Sequence, residues 1–377
     1  MTESIDLLLD ARHINQSGIG TYIRTELPTV EKTLAEHGLS LTVLADEGKA
    51  PPLLDSTTVA FARPSNAGMY STSEQQVWRH ALKSLRPRAL WLPHYPFPFS
   101  ILGPGNKHTK LFVTIHDILH LQPQSVSGKG FAYRAYARAM ITMDARRCSK
   151  IFTPSRATAD ALAAVSPKAQ TVVTPIPVGE AWLTPADTAL TPIDGRYILF
   201  VGNAKWHKNL PVLFEAFREI ASEIPQKLVI AGAGESVRNF DDRLAGYATE
   251  LADRVQMIGR LDFETLRAMV AGADLLVMPS LYEGAGLPPL EAMASHTAVV
   301  ASSIPSLRET CGDGADYFDP HDYRTLAGLL RTCCCDDTAR ADLAARGWAH
   351  VNSRQSRIEP TAAAETICAE LIENRKS

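Results

Sequence analysis

At 377 residues the chain exceeds one ordinary hydrophobic core and suits two domains of roughly 150 residues with extensions. Its 45% hydrophobic and 21% charged residues are the composition of a soluble globular protein, and a formal net charge of -3 argues against nucleic acid as the main partner. No apolar run approaches the roughly 20 residues that cross a bilayer. The start, Met1-Thr2-Glu3-Ser4-Ile5-Asp6, lacks the basic stretch of a secretion signal, so a cytoplasmic location is expected.

In chain order, the first half alternates strand-like and helix-like segments: a strand at 5–10, a helix at 21–35, and strands at 39–44, 89–92, 111–115 and 151–153. That alternation predicts a parallel sheet covered by helices. Residues 130–150 read as a helix in which Arg134, Arg138, Arg146, Arg147 and Lys150 interleave with Phe131, Tyr133, Tyr136 and Met140. Such a helix can lie on an anionic membrane surface or be an ordinary solvated helix with a buried stripe. A proline-rich connection from Pro175 to Pro192 breaks the pattern, which places the domain boundary near 180–193.

The second half repeats the scheme, with strands at 197–201, 227–231, 255–258, 275–278 and 298–301. Two domains are therefore expected at 1–185 and 193–355, both doubly wound. A last helix at 361–372, within a segment 356–377, is expected to pack back on the first domain. The cysteines, Cys148, Cys311, Cys333, Cys334, Cys335 and Cys368, have no C-x-x-C spacing. Free thiols follow, with Cys333 to Cys335 as small residues ending a surface helix.

Doubly wound domains bind ligands at the carboxyl ends of their strands, so the loops that follow strands carry the chemistry. The first of these, Asp10 to Thr21, contains Gly18-Ile19-Gly20, glycines that allow backbone to approach a ligand and that also serve plain tight turns. The second ends an apolar strand on His116-Asp117. The third, Val201-Gly202-Asn203-Ala204-Lys205-Trp206-His207-Lys208-Asn209, presents Lys205 and Lys208 where a phosphate would sit.

The fourth is the most informative. An apolar strand closed by Pro279 runs into Ser280-Leu281-Tyr282-Glu283-Gly284-Ala285-Gly286-Leu287-Pro288-Pro289-Leu290-Glu291. Pro288 and Pro289 suit a first helical turn, whose N–H groups have no intrahelical partner for proline to remove. Strand, glycine loop and helix start form an anion site, with Glu283 and Glu291 on its flanks.

Residues 283–294, EGAGLPPLEAMA, resemble the E-x7-E signature of the retaining glycosyltransferases of family 4, usually written EGFGLPPLEAMA. Gly18-Ile19-Gly20-Thr21-Tyr22 is similar to that family's first glycine loop, Ile115-His116-Asp117 to its HD motif, and His207-Lys208-Asn209 to its R/H-K-N motif. Thr153-Pro154-Ser155 and residues 300–309 match further elements in the family's order.

The resemblance implies the GT-B fold: α/β, with two Rossmann-like doubly wound domains facing a central cleft, the first binding the acceptor and the second the nucleotide sugar. It implies that Glu291 holds the ribose hydroxyls and that Glu283 contacts the transferred sugar. Lys208, with Lys205 and Asn203 nearby, would neutralise the diphosphate together with backbone N–H groups of Gly284, Ala285, Gly286 and Leu287. His116 would touch the donor sugar, and Gly18 to Gly20 the phosphate or acceptor.

No cofactor and no metal are expected, because the chain has no Asp-x-Asp motif. The implied partners are a nucleotide-sugar donor and a glycan or lipid-linked acceptor, with peripheral membrane contact through 130–150. Within the family the motifs look most like GDP-mannose-dependent mannosyltransferases of surface-polysaccharide assembly. A UDP-sugar donor, or a nucleotide-sugar 2-epimerase of the same architecture, is the alternative. Ala285 replaces the usual phenylalanine, and Asn203 stands where some relatives carry an arginine, which shifts the diphosphate's load toward Lys208.

Overall fold

A computed structural model describes residues 5–232, 246, 247, 249–251 and 253–373. The chain divides into two compact units. One comprises 1–121, 131–177 and 359–377, and the other comprises 122–130 and 178–358.

The first unit is built on a seven-stranded parallel sheet in the order β3-β2-β1-β4-β5-β6-β7. Its strands are β1 (Leu7–Asp10), β2 (Leu41–Ala45), β3 (Thr58–Phe61), β4 (Ala89–Leu92), β5 (Lys110–Thr114), β6 (Lys150–Thr153) and β7 (Thr171–Val173). Leu7 pairs with Leu41 on one side and Ala89 on the other, so β1 is central. All of β1 and β4 is buried, which is why both read as unbroken apolar runs rather than alternating ones.

Helices α1 (Ser17–Glu36), α2 (Thr72–Leu85), α4 (Phe131–Arg147) and α5 (Arg156–Val165) fill the crossovers, and the short α3 (Gln124–Ser127) belongs to the second unit. The last helix, named α12 below, spans Ala362–Glu373 and packs on α1. Arg88 Nη2 donates to the Leu371 carbonyl at 2.6 Å, and Lys110 pairs with Glu370.

The second unit repeats the plan with six parallel strands in the order β10-β9-β8-β11-β12-β13. These are β8 (Tyr197–Val201), β9 (Lys227–Ala231), β10 (Val255–Ile258), β11 (Leu275–Met278), β12 (Ala298–Ser302) and β13 (Asp316–Phe318). Around them lie α6 (Leu210–Ile220), α7 (Phe263–Ala271), α8 (Leu287–Ala294), α9 (Pro305–Cys311), α10 (Tyr323–Cys335) and α11 (Asp337–Gln355). In both units the strand order reverses beside the first strand, between β1 and β4 and between β8 and β11.

Several expectations shift. Lys150 is not part of the helix expected over 130–150; it opens β6, opposite Phe112, because the chain leaves α4 at Arg147 to re-enter the sheet. The proline-rich passage at 180–193 lies within the second unit, since Val178, Trp182 and Ile193 bury in that unit's core. The side-chain amide of Gln355 also clamps both backbone groups of Val178, at 2.9 and 3.1 Å. All six cysteines are free, but Cys333 and Cys334 are buried core residues of α10 and only Cys335 is exposed. The surface-helix reading therefore holds for one thiol of the three.

Candidate active site

In the second unit the two loops beside the strand-order reversal meet. After β8 the backbone passes Gly202 at φ +154, where a Cβ would lie 3.1 Å from the Phe200 ring and 3.7 Å from Lys208 Cε. A bare backbone at 202 leaves room for the Lys208 stem. The loop ends on Asn209 at φ +53, a left-handed conformation that asparagine tolerates better than most residues. Its side-chain amide donates to the carbonyls of Pro279 (3.1 Å) and Pro320 (2.7 Å). The Leu281 amide donates back to the His207 carbonyl at 2.7 Å. These bonds tie the lysine loop to the end of β11.

Lys208 Nζ lies 2.7 Å from Glu283 Oε1, and the buried Ser280 Oγ donates to the same oxygen at 2.5 Å. Ser302 Oγ bonds in turn to the Ser280 carbonyl, which anchors the support to β12. Burial works against a charged Glu283, but the Lys208 charge and the two hydrogen bonds outweigh it and hold the carboxyl below its ordinary range. The lysine and the first signature glutamate are therefore an ion pair.

Gly286, at φ +66, is the N-cap of α8, and a Cβ there would fall 2.5 Å from Leu307 Cδ2. Thr310 Oγ1 donates to the Ala285 carbonyl at 2.6 Å, which fixes that peptide's orientation. Pro288 and Pro289 occupy the first helical turn, as expected. They remove two N–H groups from that end, so backbone donors to an anion come from the loop ahead of them, with the helix dipole behind it. Glu291 sits one turn into α8, half-buried, with no hydrogen-bond partner for its carboxyl among the described residues; burial pushes it up to about 7. Asn203 and Lys205 are exposed, and neither is drawn into this bonded group.

In the first unit, Gly18, Ile19 and Gly20 form the first turn of α1 itself rather than a loop ahead of it. A side chain on Gly20 would collide with the Ile14 carbonyl, which also accepts from Arg24, so this glycine has a steric reason of its own. His116 follows β5; its Nε2–H donates to the Pro93 carbonyl at 2.8 Å and its ring stands edge-on to Tyr22 at 5.0 Å. Burial lowers its pKa despite that bond and the nearby Asp117, so the ring is neutral near pH 7 with Nδ1 as acceptor. Asp117 Oδ1 accepts from the Leu119 amide at 2.7 Å, a local turn bond.

Ser280, Ser302, Asn209 and Thr310 hold this arrangement and were not among the expected site residues. Asn209 carried a signal, an asparagine just ahead of a Leu-Pro helix start. The two serines and the threonine act through pairings between different strands and helices, which no local pattern reports.

Residues 189–348 match the family described as glycosyl transferases group 1. The matched residues lie within the second unit. Among proteins similar to the chain is the O-antigen chain mannosyltransferase RfbU of Salmonella typhimurium, 28% identical over 224 residues, 58% of this chain and 59% of RfbU. Another is O-antigen chain mannosyltransferase B of Escherichia coli, 31% identical over 156 residues, 41% of this chain and 40% of the relative. The matched stretches thus span about half the length of these relatives. Among solved structures, a sucrose-phosphate synthase from Thermosynechococcus elongatus superposes with a TM-score of 0.70 at 18% identity, covering 99% of this chain and 98% of its own. Two Rossmann-like sheets in this order are the GT-B fold.

Proposed function

We propose that the protein transfers a hexose from a nucleotide sugar to a glycan or lipid-linked acceptor in surface-polysaccharide synthesis, with retention at the anomeric carbon and without a metal. The observation that carries this reading is the Lys208–Glu283 pair at the strand-order reversal of the second sheet, beside the start of α8. A diphosphate settling there meets a lysine, loop N–H groups and the positive end of a helix. Lys208 has three N–H donors, and Glu283 occupies one, so the pair can hold phosphate and sugar together.

Departure of the diphosphate leaves positive charge on the anomeric carbon and negative charge on the leaving oxygen. Lys208 and the N–H groups of 284–287 stabilise that oxygen more as its charge grows, which lowers the barrier rather than merely tightening binding. The acceptor attacks from the same face, and the leaving phosphate oxygen takes its proton. Glu291, without another hydrogen-bond partner among the described residues, accepts from the two ribose hydroxyls, and Glu283 accepts from the sugar.

Mannose from GDP-mannose is the donor we favour, on the likeness to two O-antigen mannosyltransferases. Peripheral contact with a membrane that carries the acceptor is proposed through α4, where Phe131 is 78% exposed beside Arg134 and Arg138. No described helix is long and apolar enough to cross a membrane. The test is a thermal-shift panel of GDP-, UDP- and ADP-sugars followed by mass spectrometry of product. Stabilisation by one nucleotide class and a hexose added to an acceptor support the reading. An epimerised donor with no acceptor product overturns it.

A further inference from the structure

The first unit holds a group of side chains that the donor chemistry leaves unused. At its centre is Glu74, fully buried at the start of α2, whose Oε1 lies 2.9 Å from His94 Nε2 and 3.3 Å from both His13 Nε2 and Arg12 Nη2. Asp10 takes the other side of Arg12 at 2.9 and 2.7 Å and accepts the Trp78 indole N–H at 2.8 Å. His13, Glu74 and His94 have the donor atoms of a metal site, all within 4.8 Å of one another. The Arg12 guanidinium already occupies the shared carboxylate oxygen, and its charge opposes a dication at that spot.

The network's other product is positional. Glu74 Oε2 accepts from the Tyr70 amide at 2.8 Å, and Tyr70 stands at φ +62, a left-handed conformation that is strained for a bulky residue. Ser71 Oγ caps α2 by accepting from the Glu74 amide at 3.1 Å, so the strained residue is pinned from both ends of one turn.

Held this way, the Tyr70 ring meets Tyr95 at 5.5 Å and His120 at 5.9 Å. His120 is bonded to the Tyr95 hydroxyl and faces Tyr133 at 5.1 Å, and Tyr136 follows at 6.4 Å from Tyr133. Tyr70, His120 and Tyr133 are half-buried and Tyr136 is 38% exposed. These rings come from the connections after β3, β4 and β5 and from the start of α4. All are carboxyl-end connections of the first sheet, around its strand-order reversal, where an α/β unit places its ligand.

We propose that this tyrosine and histidine patch is a platform for a pyranose ring of the acceptor glycan. Aromatic faces match the C–H face of a sugar, phenolic O–H groups match its hydroxyls, and rings with two side-chain torsions lose little entropy on binding. The charges beneath are already paired with one another, which favours a neutral sugar over a phosphate. The assignment rests on the transferase reading, since the ring bound is the acceptor's.

The test uses the full chain and saturation-transfer NMR with methyl α-D-mannopyranoside and methyl α-D-glucopyranoside, alongside thermal shift with GDP and UDP. Tyr133→Ala and Tyr70→Asn, the latter chosen because asparagine accepts φ +62, are each expected to cut saturation transfer at least fivefold. Tyr133→Phe is expected to retain most of it, and all three to keep the wild-type nucleotide shift. Absence of glycoside signal in a wild-type protein that binds nucleotide overturns the platform, as does signal unchanged in both ring-deleting variants. Loss of signal in Glu291→Ala with retention in the tyrosine variants also overturns it, because the glycoside would then occupy the donor site. Absence of a nucleotide shift in the wild type instead strikes the transferase reading.

Discussion

Two carboxylates eight positions apart in the signature loop differ in charge state because their neighbours differ. Glu283 has a lysine and a serine on one oxygen and stays ionised; Glu291 has burial alone and rises to about 7. If ribose hydroxyls donate to Glu291, the ionised form binds the donor better. Nucleotide-sugar affinity should then rise as pH climbs toward about 7 and level off above it. Titration calorimetry across that range checks this, and Glu291→Gln should flatten the profile; a wild-type profile that is already flat would refute the ribose role. Lys208→Ala removes the cation proposed to meet the diphosphate and leaves the half-buried Glu283 without its lysine partner. Turnover is expected to fall on the order of 10²–10³-fold, with a lower melting temperature as well. Steady-state kinetics with near wild-type kcat would sink the assignment. Both carboxylates and the lysine were legible as residues, but their pairing was not: positions 208 and 283 are brought together by β8 and β11 lying side by side.

At the scale of elements, local chemistry set most boundaries. The central strands are largely buried apolar runs and fall close to where the sequence places them, whereas β3, β7 and β13 were not anticipated. β3 and β7 are sheet-edge strands, half-buried or exposed, with little apolar contrast. β13 is a third such edge strand, only three residues long. Helix α8 starts at Gly286 because a left-handed residue ends the loop and two prolines suit the turn that follows. Gly286→Ala adds a Cβ at φ +66 against Leu307 and is expected to cost about 1–2 kcal/mol. Chemical denaturation of the variant checks the figure, and wild-type stability would remove the steric reason for this glycine. For α4, sedimentation with anionic vesicles at low salt should carry the protein down, and Phe131→Ser with Arg134→Glu should release it. Failure of the wild type to sediment would leave α4 an ordinary solvated helix.

For the whole molecule, buried ionisable groups pull stability in opposite directions. Glu26, on α1, is raised to about 8 by burial, with Oε2 unpartnered. A carboxyl raised on folding binds its proton more tightly in the native state. Its penalty is thus absent below the ordinary carboxylate value, grows as pH rises, and is complete above about 8. Glu74 is lowered to about 2: burial opposes ionisation, but the bonds from His13 and His94 and the Arg12 charge outweigh it. That group contributes stability at neutral pH that is lost as pH falls toward 2. Melting curves of Glu26→Gln against wild type should therefore diverge in the variant's favour between about pH 5 and 8, by a few degrees. Curves that stay parallel would show that Glu26 is not buried as described.

The sequence by itself determined two doubly wound units, the glycine and proline punctuation of the signature loop, and the residue types of the proposed donor site. Each of these is encoded within a dozen neighbouring positions, as a run of apolar residues, a helix start or a motif. Only the tertiary structure decided that Lys208 and Glu283 are one ion pair, that Ser280 and Asn209 support it, and that a buried Glu74 holds Tyr70 in a strained conformation. Those depend on which strands lie adjacent and which loops meet at their carboxyl ends. Parallel pairing joins residues tens of positions apart, so no local pattern records it.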